Sequence, residues 1–399
     1  MKTDRAASPR PLGLYLHIPF CLQKCRYCDF LSAPAAPAVQ ERYLAALRRE
    51  IELTARRPEI AGRRVATLYV GGGTPTALPP AALADIIALC LRSFRFAGDG
   101  ASGEPEVTVE ANPGTVASDG LARLRDAGVN RLSLGVQAFD DRLLRMLGRI
   151  HTAQDARVAF AAARTAGFSD INIDLMFGLP EQSLAAWEQT LAEAIALGPE
   201  HISAYSLIVE EGTPFGELAA RGELALPDEE TEAEQYERAI GRLTAAGYWH
   251  YEISNFARPG CAARHNLIYW HNEEYLGLGL GAWSYIARQE AGGLIRDANP
   301  RDLETYCAAL ERGELPPREG GETPSRRREM VETAIMGLRL IDGMDLGAFA
   351  ERFGVELDEA FPGVRVRLAA EGLAETVGGR LRLTGRGVLL ANRACAHFV

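Results

Sequence analysis

The chain contains no run of about 18 apolar residues, so it offers no helix of the length that crosses a bilayer. Its first residues, Met1 to Gly13, lack the apolar segment that marks a secretory leader. Positive charge is outnumbered: 43 Lys and Arg stand against 53 Asp and Glu, a net charge of −10. A phosphate-tracking surface needs clustered cations, so no nucleic-acid partner is expected, and Arg326-Arg327-Arg328 reads as a solvated helix start. No basic amphipathic helix stands out, which limits expected membrane contact to the transient kind. Cysteine is sparse, at seven residues. With no export signal the expected location is the cytoplasm, where disulfides are disfavoured and clustered thiols read as metal ligands or catalytic groups.

What the chain does have is regular alternation. Short β-branched or aromatic runs occur at residues 14–18, 66–70, 106–110, 130–136, 171–177 and 201–209, with amphipathic helical stretches between them. Successive β–α units require parallel strands joined by helical crossovers. Such a sheet either closes as a barrel or opens as a doubly wound sheet. Polar or glycine-rich residues follow nearly every strand: Cys21, Gly71-Gly72-Gly73, Glu110, Gln137 and Asp174. In a barrel those ends meet at one mouth, so the expected fold is α/β, an incomplete TIM-like (β/α)6 barrel. The expected organisation is a flexible N-terminus over 1–12, a core over 13–250, an extension over 251–313 and a smaller domain over 314–399. That last segment reads helix, helix, helix and a hairpin turning at Gly378-Gly379, a winged-helix-like α+β pattern suited to packing or to a lid.

Cys21, Cys25 and Cys28 form a C-x3-C-x2-C series with no fourth cysteine nearby. Thiolates suit zinc or iron–sulfur clusters, and a cubane gripped at three corners leaves one iron open to a substrate. The zinc alternative needs a fourth ligand such as His17, whose side chain the strand pleat fixes. Cys90 sits at helical spacing as a small buried hydrophobe, and His151, His201 and His250 read as structural. The glycine triplet allows close backbone approach and exposes N–H groups to a ligand. Singly, Glu110, Gln137, Arg149 and Asp174 also read as strand-end caps.

With Tyr27 before its last cysteine, the cysteine series resembles the signature of the radical S-adenosylmethionine (SAM) superfamily. That resemblance implies a 4Fe–4S cluster on Cys21, Cys25 and Cys28, with SAM on the open iron. One electron from the cluster then splits the sulfonium C–S bond to give a 5′-deoxyadenosyl radical. The ordered series YLHIPFCLQKCRYC, GGGTPT, VEANPGT, SLGVQAF, LGRIH and IDLMFGLPEQ is similar to one family within it. That family comprises the oxygen-independent coproporphyrinogen III oxidases (HemN) and the heme chaperones (HemW), and the similarity runs from about residue 12 to the C-terminus. It implies SAM contacts from Tyr15, Gly72, Gly73, Thr74, Glu110, Gln137, Arg149 and Asp174.

Two departures separate the chain from the oxidases. Phe30 stands where they carry a further cysteine, and only 14 residues precede Tyr15, where they carry a longer extension. Both point to the chaperone branch, which binds heme and hands it to acceptor heme proteins of respiration. His265-Asn266-Leu267-Ile268-Tyr269-Trp270 matches that branch's H-N-x-x-Y-W motif, which implies heme contact through His265, Asn266, Tyr269 and Trp270. An imidazole can ligate heme iron, and Tyr and Trp offer flat apolar surface. From the residues alone, a histidine among aromatics is more often a hydrogen-bonded core residue, and a Tyr/Trp pair more often packing. Cys261 and His271 flank the motif without being ordered on one face with it. The alternatives are a radical SAM enzyme acting on coproporphyrinogen III or another tetrapyrrole, and a scaffold with a vestigial cluster. Cleavage of SAM would require a one-electron donor such as flavodoxin or ferredoxin.

Overall fold

The computed structural model describes residues 12–97, 103–288 and 293–399. The expected flexible N-terminus lies outside the described residues apart from Leu12, a fully buried residue that opens the first strand.

Six parallel strands form the framework: β1 (Leu12–Ile18), β2 (Arg64–Gly72), β3 (Glu106–Ala111), β4 (Arg131–Gln137), β5 (Ile171–Phe177) and β6 (His201–Ser206). Each pairs with the next in chain order. A doubly wound sheet reverses its order at a switch point; this one never does, so the strands curve in barrel fashion with all their C-terminal ends on one side. The sheet continues past both flanks. Strand Tyr275–Leu278 lies parallel to β1, followed by antiparallel Trp283–Arg288, Gly293–Ala298 and Glu319–Glu322. Beyond β6 come antiparallel Asn255–Ala257 and Trp249–Glu252. Among the described residues the two outer strands do not pair with each other, so the barrel is open. Residues 251–313 thus contribute strands to the same sheet as the core.

The apolar runs have a simple cause. Parallel strands covered by helices bury both faces, and β1, β4 and β5 are buried along almost their whole length. The sixth strand stops at Ser206, three residues before its expected end. The helices are capped by short polar side chains: Thr152 and Asp155 form a capping box on Ala153–Thr165. Asp140 caps Asp141–Leu147, and Gly148, left-handed at φ 75°, ends that helix and turns Arg149 toward the strand ends.

The smaller domain has its own apolar core around Phe349, Phe353, Phe361 and Leu368. Helices Arg326–Gly337, Leu346–Phe353 and Val364–Ala370 precede a hairpin whose strands, Ala374–Val377 and Arg380–Leu383, turn at Gly378 and Gly379 with φ 57° and 78°. Both positive angles belong to the two-residue turn that only glycine adopts without strain. A short helix, Leu357–Ala360, is additional to the expected pattern. The three arginines at 326–328 are not simply solvated. Arg326 donates to the Phe353 carbonyl, Arg327 lies 4.0 Å from the Phe361 ring centroid, and Arg328 pairs with Glu322 and Glu332. Backbone bonds from Ile253 to Arg339 and from Ile341 to Tyr251, both 3.1 Å, tie this domain to the sheet. Among the described residues no helix is long and apolar enough to cross a membrane.

Candidate functional site

The loop leaving β1 carries Cys21, Cys25 and Cys28 to the edge of a cavity of about 490 Å³ at the strand ends. It is pinned to its surroundings: Arg26 N–H donates to the Leu147 carbonyl at 3.0 Å and Gln23 Nε2 to the Gly148 carbonyl at 3.0 Å. The three thiols are half-buried. Burial pushes the Cys28 thiol up, the backbone at Phe30 opposes this, and the neighbouring thiols add to it. Among the described residues no three His, Cys, Asp or Glu side chains converge on one point as a lone ion requires. All three cysteines line the cavity, and a cubane takes a different iron at each thiolate.

The glycine triplet explains how the loop and β2 fit together. A Cβ on Gly73 would meet the Phe20 carbonyl at 2.6 Å and the Cys21 sulfur at 3.0 Å; one on Gly71 would meet the Glu110 carboxyl at 2.8 Å. Gly72 has φ 115°, and a Cβ there would strike the His17 ring. The N–H groups of Gly72, Gly73 and Thr74 bond within the protein. Gly72 donates to Glu110 at 3.1 Å, Gly73 to the Ile18 carbonyl at 2.9 Å and Thr74 to the Phe20 carbonyl at 2.7 Å. The triplet holds the cysteine loop against the glutamate.

Gly72, Gly73, Thr74, Glu110, Gln137, Arg149 and Asp174 all line the cavity. Tyr15 is not among the lining residues; its hydroxyl bonds His17 Nδ1 at 3.0 Å and its ring stacks on Tyr69, which does line it. Tyr69 is a site residue the sequence reading missed. It donates to Glu110 Oε1 at 2.7 Å, as Tyr205 does to Gln137 Oε1 at 2.8 Å. Burial lifts the Glu110 carboxyl to about 7, the hydrogen bonds from Tyr69 and Gly72 oppose the rise, and the charge of Asp174 adds to it. Burial also raises Asp174, against hydrogen bonds from Asn172, Ser203 and Ser133 and the charge of Arg149. Gln137 sits at φ 68° where the β4–β5 register shifts, and this strained backbone aims its amide into the mouth.

Arg149 donates to the Gly135 carbonyl at 2.5 Å and to the Cys25 sulfur at 3.4 Å, while its buried Nε has no partner. An orphaned guanidinium donor beside two high-pKa carboxyls suits a zwitterion carrying both a carboxylate and cationic groups. These residues therefore fit a thiolate-held cluster and SAM.

Residues 15–194 match the radical SAM superfamily, and residues 325–390 match the HemN C-terminal domain. The heme chaperone HemW of Bacillus subtilis is 39% identical over 388 residues, covering 96% of this chain and 98% of that protein. The chain belongs to the HemW family. Its counterpart in Mycobacterium tuberculosis is 38% identical, covering 96% of this chain and 93% of that one. The coproporphyrinogen III oxidase HemN of Escherichia coli, described as a radical SAM enzyme, superposes with a TM-score of 0.81 at 28% identity, covering 98% and 90% of the two chains.

The H-N-x-x-Y-W motif lies far from the cluster loop. It forms helix Arg264–Trp270, which packs against Gly13, Thr67 and Glu106 and so plugs the opposite, N-terminal end of the barrel. The Glu106 carboxylate, at the start of β3, accepts the Arg264 and His265 N–H groups at 2.9 Å each. His265 is 1% exposed, with Thr67 Oγ1 2.7 Å from Nδ1 and the Tyr269 hydroxyl 2.9 Å from Nε2. Burial pushes its pKa down to about 3. Both ring nitrogens are therefore hydrogen-bonded within the fold. Tyr269 packs edge-on to the His265 ring, and Trp270 lies beneath the Arg339 guanidinium at 4.4 Å. Five residue steps along β2 lead from Thr67 to Gly72, roughly 17 Å at strand rise.

Proposed function

We propose that the protein is a heme chaperone: it binds heme and passes it to acceptor heme proteins, and it carries a 4Fe–4S cluster on Cys21, Cys25 and Cys28 whose open iron takes SAM. Phe30 carries the distinction from the oxidases. It is 61% exposed at the cavity rim and offers no thiolate where their pattern has one. The names of the HemW relatives support the same reading. When bound, the cluster and SAM supply one-electron chemistry at the mouth. The chain's own part is to place Arg149 and the Glu110–Asp174 pair around the zwitterion and to fill the barrel below it, so that water is excluded. His265, Asn266, Tyr269 and Trp270 serve in this reading as the barrel plug. Contact between that motif and heme would require the helix to leave Glu106. A flavodoxin or ferredoxin is the proposed reductant if SAM is cleaved.

The structural likeness to HemN keeps a second reading open, oxidation of coproporphyrinogen III. One preparation separates the two. Cluster-reconstituted protein is incubated anaerobically with SAM, reductant and coproporphyrinogen III, and separately with hemin and an apo-cytochrome. Heme transfer without vinyl product is expected; vinyl product would overturn the chaperone reading.

A further inference from the structure

A buried chain of hydrogen bonds runs through the barrel interior from the floor to Asp174 at the mouth. Asn172 and Asp174 stand two residues apart on β5, so both side chains leave the same face of the strand. The register sets Asn172 beside His201 of β6 on one side and Ser133 of β4 on the other, and all three are buried. Asn172 Nδ2 donates to Asp174 Oδ1 at 2.7 Å and to Ser133 Oγ at 2.7 Å, while Ser133 Oγ donates to Asp174 Oδ2 at 3.1 Å. The amide oxygen of Asn172 lies 2.7 Å from His201 Nδ1, and His201 Nε2 lies 2.8 Å from the Tyr251 hydroxyl. That hydroxyl accepts the Ala263 N–H at 3.3 Å, from the residue just before helix Arg264–Trp270.

These partners leave the chain one direction of donation. Ser133 gives its proton to Asp174, so both neighbours of the near end of the Asn172 amide accept, and that end is the NH2 group. The amide oxygen therefore faces His201 and requires a proton on Nδ1. Burial and the charge of Arg131 hold the imidazole neutral, well below its ordinary pKa of 6.5, so Nε2 is bare and takes the Tyr251 proton. Each oxygen of Asp174 is thus bonded by one interior donor, which fixes the carboxylate plane. Its other lone pairs remain for the cavity that Asp174 lines. We propose that His201 and Asn172 are positioning residues for SAM binding: they hold Asp174 as an oriented acceptor for the hydroxyl or ammonium donors of that molecule. The role rests on the SAM reading above. It differs from packing because it depends on which ring nitrogen carries the proton. A leucine at position 201 would fill the space yet leave the Asn172 amide free to turn its oxygen on Asp174.

The test compares wild type with His201→Leu, His201→Asn and Tyr251→Phe as cluster-reconstituted proteins, by calorimetric titration with SAM. Iron content and thermal unfolding are measured on each. His201→Leu is expected to weaken SAM about tenfold, with cluster content preserved. Asparagine returns an N–H donor near the Nδ1 position. His201→Asn should therefore recover most of the affinity, although its cavity leaves it no more stable than the leucine variant. Tyr251→Phe keeps the ring and removes only the hydroxyl that fixes the tautomer; a loss of about threefold is expected. This milder change decides alone where His201→Leu does not fold. In an Asp174→Asn background His201→Leu should add little, since its effect passes through that carboxylate. Unchanged affinity in the leucine and phenylalanine variants overturns the proposal. So does an affinity that follows thermal stability across the three variants, or an undiminished His201→Leu effect beside Asp174→Asn. Should wild type itself bind no SAM, the SAM reading fails and the proposal with it.

Discussion

The ring of His265 stacks on that of Tyr69, with centroids 5.2 Å apart and planes 25° from parallel. Tyr69 in turn bonds Glu110, a residue of the mouth. The barrel plug and the carboxyl at the mouth are therefore two faces of one packed column. His265→Ala leaves Thr67 and Tyr269 hydroxyls without partners in a buried space, and loss of fold stability of about 2–4 kcal/mol is expected. Thermal unfolding measures it. SAM affinity, by calorimetry, should weaken at the same time because Tyr69 loses its support.

Glu110 gives the site a pH dependence. Its folded value of about 7 lies above the ordinary 4.5, so its protonated form stabilises the fold below pH 4.5 and that contribution is lost as pH rises toward 7. Cationic SAM favours the carboxylate. Binding should therefore take up affinity as pH rises through 7 and fall toward about one decade per pH unit below it. Glu110→Gln should flatten that slope in titrations from pH 6 to 8.

Gly73→Ala should fail through the cluster rather than the fold. The added methyl meets the Phe20 carbonyl at 2.6 Å and Cys21 sulfur at 3.0 Å, so the cysteine loop must shift. Reconstituted iron per chain and cluster absorbance should drop, with a stability cost of about 1–3 kcal/mol.

Arg149→Lys tests the guanidinium geometry. One ammonium cannot span the Gly135 carbonyl and the Cys25 sulfur while also presenting a donor to a carboxylate. SAM affinity is expected to fall about tenfold, with cluster content preserved, as measured by calorimetry alongside iron analysis.

The strands were legible because parallel strands under helices must be apolar throughout, and the punctuation by glycine and polar residues marked their ends. The same property hid the barrel interior. With both faces buried, alternation cannot tell that Tyr69 and Tyr205 point to the lumen while their neighbours face helices. The cysteine spacing and strand-end polars gave most of the mouth. The fate of the Gly72 and Gly73 N–H groups was invisible, since their acceptors, Glu110 and Ile18, are brought in by tertiary folding. So was the burial of His265, whose partner Thr67 lies 198 residues away. A motif of polar and aromatic residues reads alike as a surface site and as a plug until the chain is folded.

β3 carries two glutamates four residues apart, hence on the same side of the strand: Glu106, which anchors the plug, and Glu110, which reaches the mouth. The floor and the rim of the chamber are bolted to opposite ends of a single stiff strut. Substitutions beneath the barrel should therefore register at its top without touching anything there, and floor residues belong in any map of what tunes the site.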